Sequence, residues 1–252
     1  MVLAAQVLLF SVAHMHGWAQ DGNAKAETLA VQDGPQLAVG HHFTVSFQGP
    51  EREELAARAI ESLERAYWRV GGTLNTYPAT LIEVVLYTTE EFRDITRAPS
   101  WAAGSFDGTI RIPMRGALDR PEELDRVLAH EFTHALLKPL SPAGLPTWLN
   151  EGAAAALERD NVAWAVDLVR SSGGTAPLAA LSGSFSRFSD SQARRAYATS
   201  ALAVRRLLDA NGGVAFFNLI RDLSLGEALA PAFLHRMHEP LPEFSSRLRS
   251  DY

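Results

Sequence analysis

The sequence predicts an α+β protein, in which a small N-terminal sheet with its helices precedes an all-helical second half. Three observations carry that reading. Strand patterns occur only before residue 120, as period-two alternation in His42–Phe47 and β-branched runs in Thr80–Thr88 and Thr109–Ile112. Segments with helical spacing fill the remainder, and no internal repeat or low-complexity linker splits the chain. The 252 residues are 47% hydrophobic, enough for one well-cored domain or a bilobed one.

Taken in order, the chain opens with Val2–Ala13, a mostly apolar run too short to span a bilayer comfortably. Gly17-Trp18-Ala19 then offers small residues at the −3 and −1 positions of a cleavage site, so residues 1–19 are expected to be a signal peptide. The usual basic segment is missing, since no Lys or Arg precedes Lys25. A secreted or periplasmic location is the matching expectation. Residues 20–36 are small and polar and are read as a flexible leader. One domain is expected over 37–252, with a sheet lobe to residue 138 and a helical lobe from 139.

Within that domain, His42–Phe47 is expected to form a half-buried strand. Glu51–Val70 reads as a helix with Leu55, Ala59, Ile60, Leu63, Ala66 and Tyr67 on one face. Thr80–Thr88 is a strand, and a short helix is expected near Glu90–Ile95. Asp107-Gly108 signals a hairpin turn before the strand Thr109-Ile110-Arg111-Ile112. Asp119 and Pro121 start a helix whose first turn carries Glu122 and Glu123, where the helix dipole favours negative charge. Lys138-Pro139 stops it, Ser141–Pro146 reverses the chain, and a second helix begins near Pro146. Ser171–Gln192, rich in Ser and Gly, reads as a loop forming one wall of a cleft. Arg194–Leu208 is a strong helix ending in Asn211-Gly212-Gly213, and shorter helices follow near Val214–Leu223, Leu225–His235 and Pro242–Arg249.

Composition removes several functions. The net charge is −6 and no basic run is present, which argues against nucleic acid and anionic membrane surfaces as partners, and against stable membrane insertion. With no cysteine, disulfides, thiolate metal sites and a cysteine nucleophile are excluded. No phosphate loop, dinucleotide fingerprint or Gly-x-Ser-x-Gly elbow appears.

The chemistry concentrates in His130-Glu131-Phe132-Thr133-His134 and Trp148-Leu149-Asn150-Glu151-Gly152. Histidines four apart on a helix are rotated by about 40° and separated by about 6 Å along the axis, so both imidazoles can reach one ion. Glu131 lies about 100° round the helix from His130, beside such an ion, where it can hold a water. The flanking Val127, Leu128, Ala129, Ala135, Leu136 and Leu137 predict a buried, rigid platform. Sixteen residues separate His134 from Glu151, enough for a helical hairpin that returns the carboxylate to the histidines. Three protein ligands leave a fourth position for water, the arrangement of a catalytic zinc site and not of a structural one.

HEFTH followed by PTWLNEGAAAALE resembles the gluzincin metallopeptidases, most closely the peptidase MA-like domain family. HHFTVSFQG, ESLERAYWRVGGTL, IEVVLYTTEEF, WAAGSFDGTIRIP and AYATSALAVRRLLDANGG are similar to that family's segments, in order, over about residues 40–250. The resemblance implies a thermolysin-like catalytic fold: a small twisted sheet, the active-site helix under it and a helical lobe across the cleft. It implies one zinc ion held by His130, His134 and Glu151. It also implies that Tyr197, in AYATSA, donates a hydrogen bond to the oxyanion, as a tyrosine does in aminopeptidase-N-like gluzincins.

Two departures matter. The Gly-x-Met-Glu-Asn strand that holds a free amino terminus in aminopeptidases is replaced by GSFDGTIRIP, so exopeptidase action has no support. The carboxylate expected four residues after the ligand glutamate is Ala155. Glu158, seven residues on and nearly on the same face, can hydrogen-bond a zinc histidine instead, although a solvated surface charge explains it equally well; Asn150 is a further candidate for such a bond.

Other candidates carry less. His235 and His238 lack a third ligand, and His41-His42 reads as strand-edge exposure. Trp68, Trp101 and Phe106 read as core or cleft lining, and Arg194, Arg195, Arg205 and Arg206 as solvated helix charges. The expected activity is that of a zinc-dependent endopeptidase acting on peptides or proteins, with a zinc-held water activated by Glu131. Thr109–Ile112 is expected to pair with an extended substrate by strand addition. A zinc-bearing peptide binder or envelope scaffolding protein is the alternative.

Overall fold

Strand-forming segments of the first half come together in one five-stranded sheet of order β1-β2-β3-β5-β4. The computed structural model describes residues 35–48, 53–87, 105–113 and 121–252, all within a unit spanning Asp33–Tyr252. The expected signal peptide, most of the leader, the helix near residues 90–95, Asp119 and Trp101 lie outside the described residues. The strands are β1 (Pro35–Val39), β2 (Phe43–Gln48), β3 (Ile82–Tyr87), β4 (Ser105–Phe106) and β5 (Ile110–Pro113). β2, β3 and β5 run parallel, while β1 and β4 pair antiparallel at the two ends.

β1 corrects the reading of residues 20–36 as leader throughout, because Pro35 and Gln36 already pair with Gln48 and Phe47. Its apolar side chains explain why the strand is hard to see in sequence. Leu37 and Val39 are 62% and 65% exposed, so the strand has no buried apolar face to signal it.

Helix α1 (Glu53–Leu74) crosses between the parallel strands β2 and β3, and buries Leu55, Ala59, Leu63, Ala66 and Tyr67 against them. Phe43, Val45, Val84, Leu86, Ile110 and Ile112 line the buried side of the sheet. Helix α2 (Pro121–Leu137) joins this core through Phe132, whose ring meets Phe43 edge-on at 5.6 Å. Arg58 and Arg65 of α1 both reach Asp125 of α2 at 3.0 Å.

Two sequence expectations fail in this lobe. Trp68 is 62% exposed, one residue past the buried Tyr67 and about 100° round the helix from it, and so is not core. His42 is half-buried: its ring stacks on Tyr67 at 3.6 Å, and its backbone and side chain both bond Glu64.

The second half is helical: α3 (Thr147–Leu157), α4 (Ala163–Ser171), α5 (Asp190–Ser224), α6 (Leu229–Met237) and α7 (Leu241–Asp251). α4, only nine residues long, has no counterpart among the elements read from sequence. The Ser/Gly-rich segment before α5 contains helical turns at Leu178–Leu181 and Phe185–Arg187. Ser189 and Gln192 form a capping box that starts α5 four residues before Arg194. Arg195 is no solvated charge, since it binds the carbonyls of Gly173, Gly174 and Thr175 and ties that segment to α5. The Asn211-Gly212-Gly213 stop appears as a break at Gly212 (φ 78°, ψ 164°), after which the helix resumes. No described helix is long and apolar enough to cross a membrane.

Candidate metal centre

Burial makes α2 a fixed platform. Val127, Leu128, Ala129, Ala135, Leu136 and Leu137 are all buried, which turns His130 and His134 toward α3. Their rings lie 4.9 Å apart at 79°. After α2 the chain makes a helical turn over Lys138–Leu140 and reverses through a Ser141–Gly144 turn, in which Ser141 Oγ donates to the Gly144 carbonyl. Pro146 then admits α3, anchored by the fully buried Trp148 and Leu149. One turn later Glu151 faces the histidines.

Oε2 of Glu151 lies 3.7 Å from Nε2 of His130 and 3.6 Å from Nε2 of His134. The three donor atoms fall within 4.8 Å of one another, the one such His/Asp/Glu group among the described residues. Zinc bonded tetrahedrally at about 2.0–2.2 Å needs donors about 3.3–3.6 Å apart. The donor set fits a zinc ion in kind and in spacing.

Both histidines are held from behind. Nδ1 of His130 lies 2.8 Å from Oε2 of Glu158, and Nδ1 of His134 lies 3.3 Å from Oδ1 of Asn150. Partners at Nδ1 leave Nε2 as the metal-facing nitrogen. Glu158 follows the last residue of α3 and its side chain is 6% exposed, so it is no solvated surface charge. Arg126, which the sequence reading passed over, reaches the same carboxylate at 3.2 Å. Its position four residues before His130, on the same helix face, was the available signal.

Glu131 is buried, and that burial pushes its carboxyl up against the lowering influence of the two histidines. Glu151 is also desolvated, yet its hydrogen bonds with His130 and His134 hold it well below the usual carboxylate range. Tyr197, half-buried on the first turns of α5, packs edge-on against Phe185 at 5.3 Å. Burial raises its phenol, as do the Glu151 charge and the hydrogen bond between them.

Of the expected substrate strand Thr109–Ile112, two residues are already paired on both edges. Ile110 and Arg111 pair with β3 on one side and with Phe106 and Ser105 of β4 on the other. Thr109 stands in the turn before β5, its hydroxyl 3.3 Å from Glu83. The short β4 hairpin arm, which the Asp107-Gly108 signal did not define, takes the outer position. His235 and His238 are exposed and join no metal group among the described residues.

No protein-family model and no curated protein sequence matches the chain. Solved structures do. The chain is similar to native yeast LTA4 hydrolase at 19% identity and a TM-score of 0.51, covering 86% of this chain and 38% of that one. It is similar to Legionella pneumophila aminopeptidase A, solved with aspartic acid, at 17% identity and a TM-score of 0.50, covering 85% and 28%. A point variant of the M1 zinc metallopeptidase from Deinococcus radiodurans matches at 17% identity and a TM-score of 0.50, covering 86% and 51%. The chain thus spans between 28% and 51% of the length of these proteins. What they share with it at this identity is the fold: an α+β arrangement found in zinc metallopeptidases.

Proposed function

We propose that the chain is a zinc-dependent hydrolase that cleaves peptide bonds within polypeptides. The observation that carries this reading is the convergence of His130, His134 and Glu151 within 4.8 Å, with the buried Glu131 carboxyl on the same helix. These three side chains would hold one zinc ion. When bound, zinc lowers the pKa of a coordinated water toward about 7 and polarises a carbonyl.

The remaining work falls to the protein's own groups. Glu131, its carboxyl raised by burial, accepts the proton of the attacking water and returns it to the departing amine. The Tyr197 phenol, raised well above its ordinary value, stays protonated and donates to the oxygen on which negative charge develops. Glu158 and Asn150 hold the histidine rings in register.

Internal cleavage is supported by the chemistry of residues 104–113. The one carboxylate there, Asp107, accepts from the Thr109 backbone and faces Arg111 at 3.4 Å, so it is not offered to a substrate ammonium.

The test is metal analysis joined to digestion of a peptide pool with free and acetylated amino termini, with and without chelator. Chelator-sensitive cleavage of both sets at internal bonds is expected. Cleavage confined to free amino termini would make it an aminopeptidase, and no cleavage by zinc-loaded protein would leave the peptide-binding reading. Glu131→Gln should keep zinc and lose about 10²–10⁴-fold in kcat. Chelated protein should keep its helical circular dichroism, because one continuous hydrophobic core runs through both lobes; unfolding would instead indicate a zinc staple.

A further inference from the structure

We propose that Arg126 is a positioning residue of the metal centre, acting on His130 through Glu158. The inference rests on the zinc reading above and concerns how the site is held.

Arg126 sits one helical turn before His130 on the same face of α2. Its Nε donates to Glu123 Oε2 at 2.9 Å and its Nη1 to Glu158 Oε2 at 3.2 Å. That Glu158 oxygen is also the one that meets His130 Nδ1 at 2.8 Å. Arg159, the residue after Glu158, closes the chain by donating to Glu123 Oε1 at 2.6 Å. The side chains therefore run Arg159, Glu123, Arg126, Glu158, His130, alternating in charge and joining α2 to the end of α3.

Glu158 needs that support. It caps the end of α3, one residue beyond the helix, and its carboxylate is almost wholly buried. With Arg126 removed, the ring of His130 would be its only charged or polar side-chain partner among the described contacts. The two histidines also differ. At Nδ1, His134 meets a neutral amide at 3.3 Å, whereas His130 meets a carboxylate at 2.8 Å. Charge-assisted bonds are shorter and about twice as strong as neutral ones. The His130 branch thus sets the donor geometry, and Arg126 fixes that branch. A bond from Nδ1–H to a fixed carboxylate keeps the lone pair of Nε2 on the side of Glu151, as a metal ligand requires.

An ion pair that merely stitches two helices would predict something else: lower stability with unchanged metal binding. The experiment measures zinc affinity of the full chain by competition with a chromogenic chelator, alongside histidine side-chain ¹⁵N spectra. Arg126→Met should lower zinc affinity about 10–100-fold and broaden or shift the His130 Nδ1–H signal. Arg126→Lys, which keeps a donor and the charge, should recover most of the affinity. A folded Arg126→Met that binds zinc within twofold of the parent would overturn the inference. If Arg126→Met does not fold, Arg126→Gln is read by the same criteria. Failure of the parent itself to bind zinc would overturn the zinc reading; tight binding by both parent and variant overturns only the role of Arg126.

Discussion

Gly152 and Ser200 are in backbone contact: a methyl group built on Gly152 would lie 2.5 Å from the Ser200 carbonyl oxygen and 2.7 Å from Val204. This contact lets the helix carrying Glu151 and the helix carrying Tyr197 approach each other closely. Small residues extend it in both directions, with Ala153, Ala154 and Ala156 buried on α3 and Ala196, Ala201 and Ala203 buried on α5. Tyr197 lies one turn from Ser200, so its phenol arrives at Glu151 because the backbones can touch beside it.

Gly152→Ala tests that dependence. The nearest obstacle is backbone and cannot rotate away, so the helices must separate by several tenths of an ångström. A loss of about 1–3 kcal/mol is expected, read by urea unfolding. Among folded molecules kcat should fall more than zinc affinity, since Tyr197 moves relative to a metal held by α2 and α3. A variant as stable as the parent would mean that α3 and α5 do not meet at Gly152.

Zinc binding should expel a proton from His130. In the metal-free protein burial alone would lower this imidazole, but hydrogen bonds to Glu151 and Glu158 and the nearby Glu131 charge outweigh it and push it up to about 10. Below that value the ring must lose a proton before it can bind metal, so apparent affinity should rise about tenfold per pH unit between pH 7 and 9. Titration calorimetry in buffers of different ionisation heat reads the proton count directly. The sign for metal-free stability follows from the same shift. A folded value above the ordinary 6.5 stabilises fully below about pH 6.5 and is lost as pH rises toward about 10. Chelated protein should therefore melt at lower temperature at pH 9.5 than at pH 7. A flat profile would mean that the imidazole is not held by those carboxylates.

The centre was legible in sequence to the extent that spacing encodes geometry. A four-residue interval on a helix brings His130 and His134 to one side whatever the tertiary packing, and the Pro139–Pro146 turn returns Glu151 within reach. Relations between elements were harder to read. Nothing local says that Glu158 is buried or that Arg126 will meet it, because both facts depend on how α2 and α3 are set against each other. β1 escaped for a different reason: Leu37 and Val39 face outward, so burial left no trace in the pattern. β4 escaped as well: no local pattern marks the two residues that cover the edge of the expected substrate strand at Ile110 and Arg111.

Adjacent glycines on α5 should behave differently. Gly212 adopts φ 78° and ψ 164°, a conformation nearly restricted to glycine, yet no atom lies within 4 Å of where its Cβ would be. Gly212→Ala should destabilise by about 1–3 kcal/mol through backbone strain. At Gly213 a Cβ would fall 1.6 Å from the Thr73 carbonyl oxygen at the end of α1. Gly213→Ala cannot be accommodated without separating α1 from α5, and should be the more damaging by circular dichroism melting. The reverse order would mean that the break, and not the helix contact, is the constraint.

Tyr197→Phe separates electrophilic assistance from structure. The phenyl ring keeps the edge contact with Phe185, so the variant should fold like the parent and lose only the hydroxyl. If that hydroxyl donates to the developing oxyanion, kcat should fall about 10²–10³-fold with KM and zinc affinity little changed. The phenol is raised by burial first and then by Glu151, so it stays protonated through the alkaline range. The pH–rate profile of the parent should therefore show no alkaline decline from Tyr197, and the profile of the variant should keep the parent's shape at lower height. An unchanged kcat, or a loss confined to KM, would remove Tyr197 from the reaction and leave it as a packing residue that bonds Glu151.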